Sequence, residues 1–194
     1  MKTTLNEIRK HHPCQDGWEK LLRHLNKTKP DDKPLPLLTI LESNGLDDTL
    51  WCLRAVEGFD REKRLLAIAF AREVEHLMPD AAKSALDVAE RFANGLATVE
   101  ELAQAYAAAR SAAYADYDAD AAHAARSAAR SAYAATRSAS RSPYAAAYAD
   151  AAAYAAAWAE AAAAYADAEA YDAAHSKIQD KQTEILKQFL KDTT

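Results

Sequence analysis

Glycine nearly disappears from this chain: there are four in 194 residues, and none after Gly95. Cysteine occurs only at Cys14 and Cys52, too few for a disulfide scaffold. From Ala103 to His175 the sequence runs 73 residues without Leu, Ile, Val, Met, Phe, Gly or Lys. That stretch has no large aliphatic side chains from which to build a core and no glycine to break a helix. Positive charge is not in excess either. The net charge is −5, whereas a nonspecific nucleic-acid binder needs a cationic surface to displace counterions. No glycine-rich phosphate loop occurs. Met1 to His12 lacks the apolar core of a secretory signal. Arg, Asp, Glu and Ser recur throughout the Ala-rich block, which excludes a membrane span. A cytoplasmic location is the expectation.

Alanine occupies the space the missing residues leave. Of those 73 residues 39 are Ala, and all nine tyrosines of the protein fall among them. Ala is the strongest helix former, so the stretch is predicted to be helical. Each Ala buries little area, so such helices are held only by very close packing, with Tyr and Trp supplying most of the contact surface.

The first half reads as a bundle of short helices with conventional aliphatic packing. Thr4 to His12 has weak helical spacing, and Trp18, Leu21, Leu22 and Leu25 share one face. Thr28 to Pro36 carries three prolines and reads as a loop. A helix from Leu37 to Ser43 stops at Asn44-Gly45. Asp47 or Asp48 caps the next one, with Leu50, Trp51, Leu53 and Val56, and Gly58 ends it. Asp60 opens a central helix predicted over Arg61 to Met78. Pro79-Asp80 restarts the chain for a helix to Phe92, which Asn94-Gly95 ends.

Thr98 with Glu101 three residues later forms a capping box. No breaker follows until Pro143, so the predicted helix is ~60 Å long. Ser142-Pro143 has the form of a second helix start, and Ser138 to Ser142 is the predicted turn between the two. The expected architecture is all-α: an amino-terminal bundle over 1–97, then an Ala/Tyr-rich antiparallel helical hairpin over 98–194 packed against it. Tyr144, Tyr148, Tyr154, Trp158 and Tyr165 fall within roughly 120° of a helical wheel. That stripe is expected to face the preceding helix or the bundle. Ile178, Ile185, Leu186, Phe189 and Leu190 return to aliphatic character and are expected to pack back on the first half.

Charge separates along the hairpin. Arg126, Arg130, Arg137 and Arg141 lie within about 60° of one another on a helix, whereas Tyr144 to Asp172 carries Asp150, Glu160, Asp167, Glu169, Asp172 and no Lys or Arg. The arginine row reads either as a solvated face paired across the hairpin or as a grip on an acidic partner or phosphates, since guanidinium forks suit bidentate acceptors. With Tyr133, Tyr144 and Tyr148 it makes up the candidate partner-binding set. The acidic arm is too sparse to imitate a nucleic-acid backbone.

Candidates for other chemistry are weaker. Asp116, Asp120 and His123 share a helical face, and Asp118 completes a run resembling the start of a calcium loop. Ala121, however, stands where that loop needs Gly, and Ser127 where it needs a bidentate Glu. His11, His12 and Cys14 lie close in sequence and with Cys52 offer four zinc-ligand types, yet no paired-cysteine knuckle is present. Cys52 with His76 is a conceivable nucleophile and base, but nothing in the sequence orients them. No cofactor or metal is expected.

The segments HHPCQDGWEKLL (His11 to Leu22), SNGLDDTLWCLRAV (Ser43 to Val56) and ALDVAERFANG (Ala85 to Gly95), with the Ala-rich tract after them, resemble a family of uncharacterised Ala-rich phage and prophage proteins. Arg61 to about Ala125 is similar to a domain of bacterial immunity proteins, all-helical binders that neutralise toxins. The resemblance implies a phage or prophage protein acting in the bacterial cytoplasm by binding, and it carries over no catalytic or ligand residue. The expectation is a non-enzymatic inhibitor of a toxin or of a host defence complex, with neither a nucleic-acid nor a membrane partner, and with a homodimer as an open possibility. A self-assembling structural protein and a metal-dependent enzyme are the alternatives.

Overall fold

In this computed structural model residues 1–113, 121–140, 151–159 and 168–193 are described, without the side chains of 121–123, 126, 138–140 and 168. The first short helix, α1 (Leu5–Lys10), opens on Thr4, whose hydroxyl accepts the Glu7 N–H at 3.1 Å. In α2 (Gln15–His24) Leu21 is buried, and Trp18, Leu22 and Leu25 lie half-buried against the core. The proline-containing loop ends in an unpredicted strand, β2 (Leu35–Pro36), which pairs antiparallel with β1 (Lys2–Thr3). Two residues are too few to show an alternating pattern in a sequence. Helices α3 (Leu37–Asn44) and α4 (Leu46–Cys52) are divided by Gly45, whose φ of 95° favours glycine. A 3₁₀ turn, Leu53–Ala55, follows.

The central helix is shorter than its sequence suggested. α5 (Asp60–Arg72) stops six residues before Met78 and gives way to a 3₁₀ turn at Glu75–Leu77. Pro79 keeps the turn from returning to helix, because the residue before a proline is driven out of helical geometry and Met78 is extended at φ −82°, ψ 144°. Arg72 holds the bend. It bonds Glu75 at 2.9 Å and reaches Asp87 at 2.6 Å and Glu90 at 3.0 Å on α6 (Asp80–Ala93). The bend also leaves Val74 fully buried.

The capping box forms as read. The Thr98 N–H donates to Glu101 Oε2 at 2.7 Å and the Glu101 N–H to Thr98 Oγ1 at 3.2 Å, opening α7 (Val99–Ala113). The predicted ~60 Å helix does not form. Instead α8 (Ala121–Ser140) lies alongside α7. The Tyr106 and Tyr133 hydroxyls are 3.0 Å apart across 27 positions of sequence, a span that is ~40 Å in one straight helix. The chain thus turns back between Ala113 and Ala121, and Ser138 to Ser140 of the predicted turn are helical in α8, while 141 and 142 lie outside the described residues. Helix propensity is a local preference, and most helical stability in a protein comes from packing. Folding back buries Ala105, Ala109 and Ala112 of α7 and Ala128, Ala132 and Ala135 of α8, which one extended rod would leave bare.

A second reversal follows for the same reason. Residues 151–159 form α9 and Ala168–Asp192 form α10. The Ser131 hydroxyl of α8 donates to the Ala152 carbonyl at 2.9 Å, and the Gln182 amide of α10 donates to the Ala153 carbonyl at 2.8 Å. α9 is therefore bonded from both sides. The aliphatic end of the chain packs on the first half, with Ile178, Leu186 and Leu190 buried. α10 lies against α3, α4 and α5, Lys181 pairs with Glu73 at 3.4 Å, and the Met1 amine donates to the Thr193 carbonyl at 3.3 Å. One contiguous apolar core runs from Met1 and Leu5 through Phe70, Leu86, Ala132 and Ala156 to Leu190. The fold is all-α apart from its two-residue ladder among the described residues.

Candidate protein-binding surface

The aromatic stripe expected to face inward faces outward wherever it is described. On α9 the buried positions are Ala152, Ala153, Ala156, Ala157 and Ala159, while Tyr154 is 65% and Trp158 43% exposed. The Ala face makes the closer approach to α8 and α10, which the two side-chain bonds to α9 carbonyls require. Exposed Tyr154 and Trp158 then form a ladder of rings with half-buried Tyr171. Tyr154 and Trp158 have centroids 6.0 Å apart with a 57° tilt, and Tyr171 of α10 meets Trp158 edge-on at 6.0 Å. Both separations lie in the favourable range for aromatic pairs. Tyr144, Tyr148 and Tyr165 fall outside the described residues.

Two described carboxylates stand beside the ladder, and Asp150, Glu160 and Asp167 lie outside the described residues. Glu169 and Asp172 are exposed beside Tyr171 in α10, and from Tyr144 to Asp172 the sequence contains five carboxylates and no Lys or Arg. An apolar ring surface in an anionic setting suits a cation that can stack as well as pair, as a guanidinium does.

The arginine row is less uniform than its spacing suggests. Arg130 is exposed on α8. Arg137 is half-buried and turned toward Tyr133, with Cζ 6.0 Å from the ring centroid and Nη1 donating to the hydroxyl at 3.4 Å. Tyr133 itself is half-buried, its ring 5.2 Å from that of Tyr106 and tilted by 39°. These two side chains hold α7 to α8. The Arg126 side chain and all of Arg141 lie outside the described residues, as do Asp116, Asp118, Asp120 and the His123 side chain.

No group of three His, Cys, Asp or Glu side chains placed to hold a metal occurs among the described residues. His11 and His12 are exposed on the turn after α1, whereas Cys14 and Cys52 line one small cavity without them. Burial, and behind it the Asp48 charge, pushes the Cys52 thiol up to about 12. His76 sits exposed on the turn after α5 and is not among that cavity's walls.

Sequence reasoning missed Tyr171 and the outward direction of Tyr154 and Trp158. The i, i+4 spacing of the last two was legible. Its direction was not, because alanine stands on both sides of the stripe and hydrophobic periodicity cannot separate inside from outside there. Comparison with protein families, curated proteins and solved structures gives no match to this chain.

Proposed function

We propose that the chain is a non-enzymatic protein-binding module acting in the bacterial cytoplasm. Its contact surface is the Tyr154–Trp158–Tyr171 ladder, and it blocks a toxin or a host defence component through a basic face of that partner. One observation carries this reading: the large rings of Tyr154 and Trp158 lie exposed on α9, whose buried positions are alanine. Tyr and Trp are the residue types most often found at the energetic centre of interfaces. Leaving them in water contributes nothing to folding. The anionic surroundings select the sign of the partner's charge.

The test is capture from the native host by the tagged chain, with identification by mass spectrometry and comparison of variants. Trp158→Ala and Tyr154→Ala are expected to lose the captured protein while keeping the helical circular dichroism of the wild type. Arg130→Ala is expected to keep it. If Trp158→Ala captures as well as wild type and Arg130→Ala does not, the arginine row is the interface and the ladder is not. A self-assembling role predicts instead that sedimentation shows larger species as concentration rises and that Trp158→Ala abolishes them.

A further inference from the structure

Helices α1 to α4 enclose a cavity of about 100 Å³ that the binding surface does not involve. Its floor is buried and apolar, formed by Ile8, Leu21, Ile40 and Cys52. Its rim carries two half-buried indoles, Trp18 and Trp51, with Asp48 beside them. Asp48 is the one carboxylate in the lining, and no Lys, Arg or His lines it.

The carboxylate is deliberately placed. Gly17 stands in the first turn of α2, a place where glycine brings no helix propensity. A Cβ at that position would lie 2.6 Å from Asp48 Oδ2 and 3.1 Å from Cys14 Sγ, so the missing side chain is what lets Asp48 reach the rim. Asn44 then fixes its orientation: Nδ2 donates to Asp48 Oδ2 at 2.7 Å and to the Gly17 carbonyl at 2.8 Å, while Oδ1 accepts from Ser43 Oγ at 2.6 Å. Arg54 lies over the Trp51 ring, Cζ 4.5 Å from the centroid, and donates to the Trp51 carbonyl at 2.7 Å. One face of that indole is therefore already taken, and a ligand meets the ring from the cavity.

We infer that this cavity binds a small organic cation, an alkylammonium of a few carbons, with its apolar body on the Ile8–Leu21–Ile40 floor and its charge against Asp48 and the indoles. Size sets the upper limit, because a dry apolar cavity of about 150 Å³ holds a benzene. Chemistry sets the sign. A mostly apolar lining penalises sugars and anions, whose polar groups would lose water without partners. A fixed carboxylate that lines the same cavity as two indoles stabilises an ammonium by direct pairing, to which attraction to an aromatic ring adds.

The test uses the full chain and isobutylammonium chloride, with isobutanol as its uncharged counterpart, followed by ¹H–¹⁵N spectra of the three indole N–H groups. Isobutylammonium is expected to shift the Trp18 and Trp51 signals saturably, to leave exposed Trp158 in place and to slow alkylation of Cys14 by iodoacetamide at least fivefold. Isobutanol is expected to bind at least tenfold more weakly, and Asp48→Asn to lose at least tenfold in isobutylammonium affinity. Equal binding of isobutanol, or shifts at Trp158 as large as at Trp18 and Trp51, overturns the inference. That comparison uses wild-type protein, so it holds even if Asp48→Asn misfolds. Because Trp158→Ala leaves the cavity intact, loss of partner capture and loss of ammonium binding report on separate sites.

Discussion

Among the described residues Phe70 is the bulkiest of the fully buried side chains, in the last turn of α5. Phe70→Ala is expected to cost about 3–5 kcal/mol, read as a lower denaturation midpoint with an unchanged slope. The two thiols differ in exposure. Cys14 is exposed and Cys52 buried, with the Cys52 thiol pushed up to about 12, and only a thiolate attacks an alkylating reagent. At neutral pH one equivalent of iodoacetamide is expected to react quickly, at Cys14, and the second only after denaturant is added. Two rapidly reacting thiols in the native protein would contradict the burial of Cys52. The presence of two cysteines was evident from the sequence, but nothing in their spacing distinguished the exposed one from the buried one.

Among the elements, α7 has the clearest start. Thr98→Ala removes the acceptor for the Glu101 N–H and is expected to destabilise the fold by about 1 kcal/mol. The partner carboxylate adds a pH dependence. The Thr98 N–H, with Arg91 beside it, holds the Glu101 carboxyl below its ordinary value of 4.5. A carboxyl held low in the folded state stabilises that state above its ordinary value and ceases to as protons are added. The gap in melting temperature between wild type and Glu101→Ala is therefore expected at pH 7 and should narrow as the pH is lowered below 4.5. α9 depends on different bonds. Ser131→Ala leaves the Ala152 carbonyl without its second donor in a fully buried contact and is expected to cost about 1 kcal/mol or more, seen as faster amide exchange in 151–159. Capping boxes and Asn-Gly stops are written in neighbouring residues, so α1, α6 and the start of α7 were legible. The ends of α5 and α7 were not. One depends on the proline at 79 and on Arg72 reaching across to α6, the other on which alanine faces find each other.

For the molecule as a whole, alanine sets the distance between helices. Ala128, Ala132, Ala135 and Ala156 have no exposed surface, and backbones packed through methyl groups leave no room for a longer side chain. Ala132→Leu is expected to lower stability by about 1–3 kcal/mol through overpacking, while Ala107→Leu, on the exposed side of α7, is expected to change it by less than about 0.5 kcal/mol. If both substitutions are tolerated equally in a thermal melt, the close packing of α7, α8 and α9 is not what holds this half together.

The sequence by itself determined that the chain is helical, where most of the amino-terminal helices begin and end, and that no helix among the described residues is long and apolar enough to cross a membrane. These follow from propensity, capping and composition, which act over a few residues. Only the tertiary structure decided that the described helices of the Ala-rich half fold back on one another and that Tyr154 and Trp158 stay outside. An alanine helix offers nearly the same surface on every side. Which side is buried is therefore settled by the fit between helices, a quantity no single segment contains.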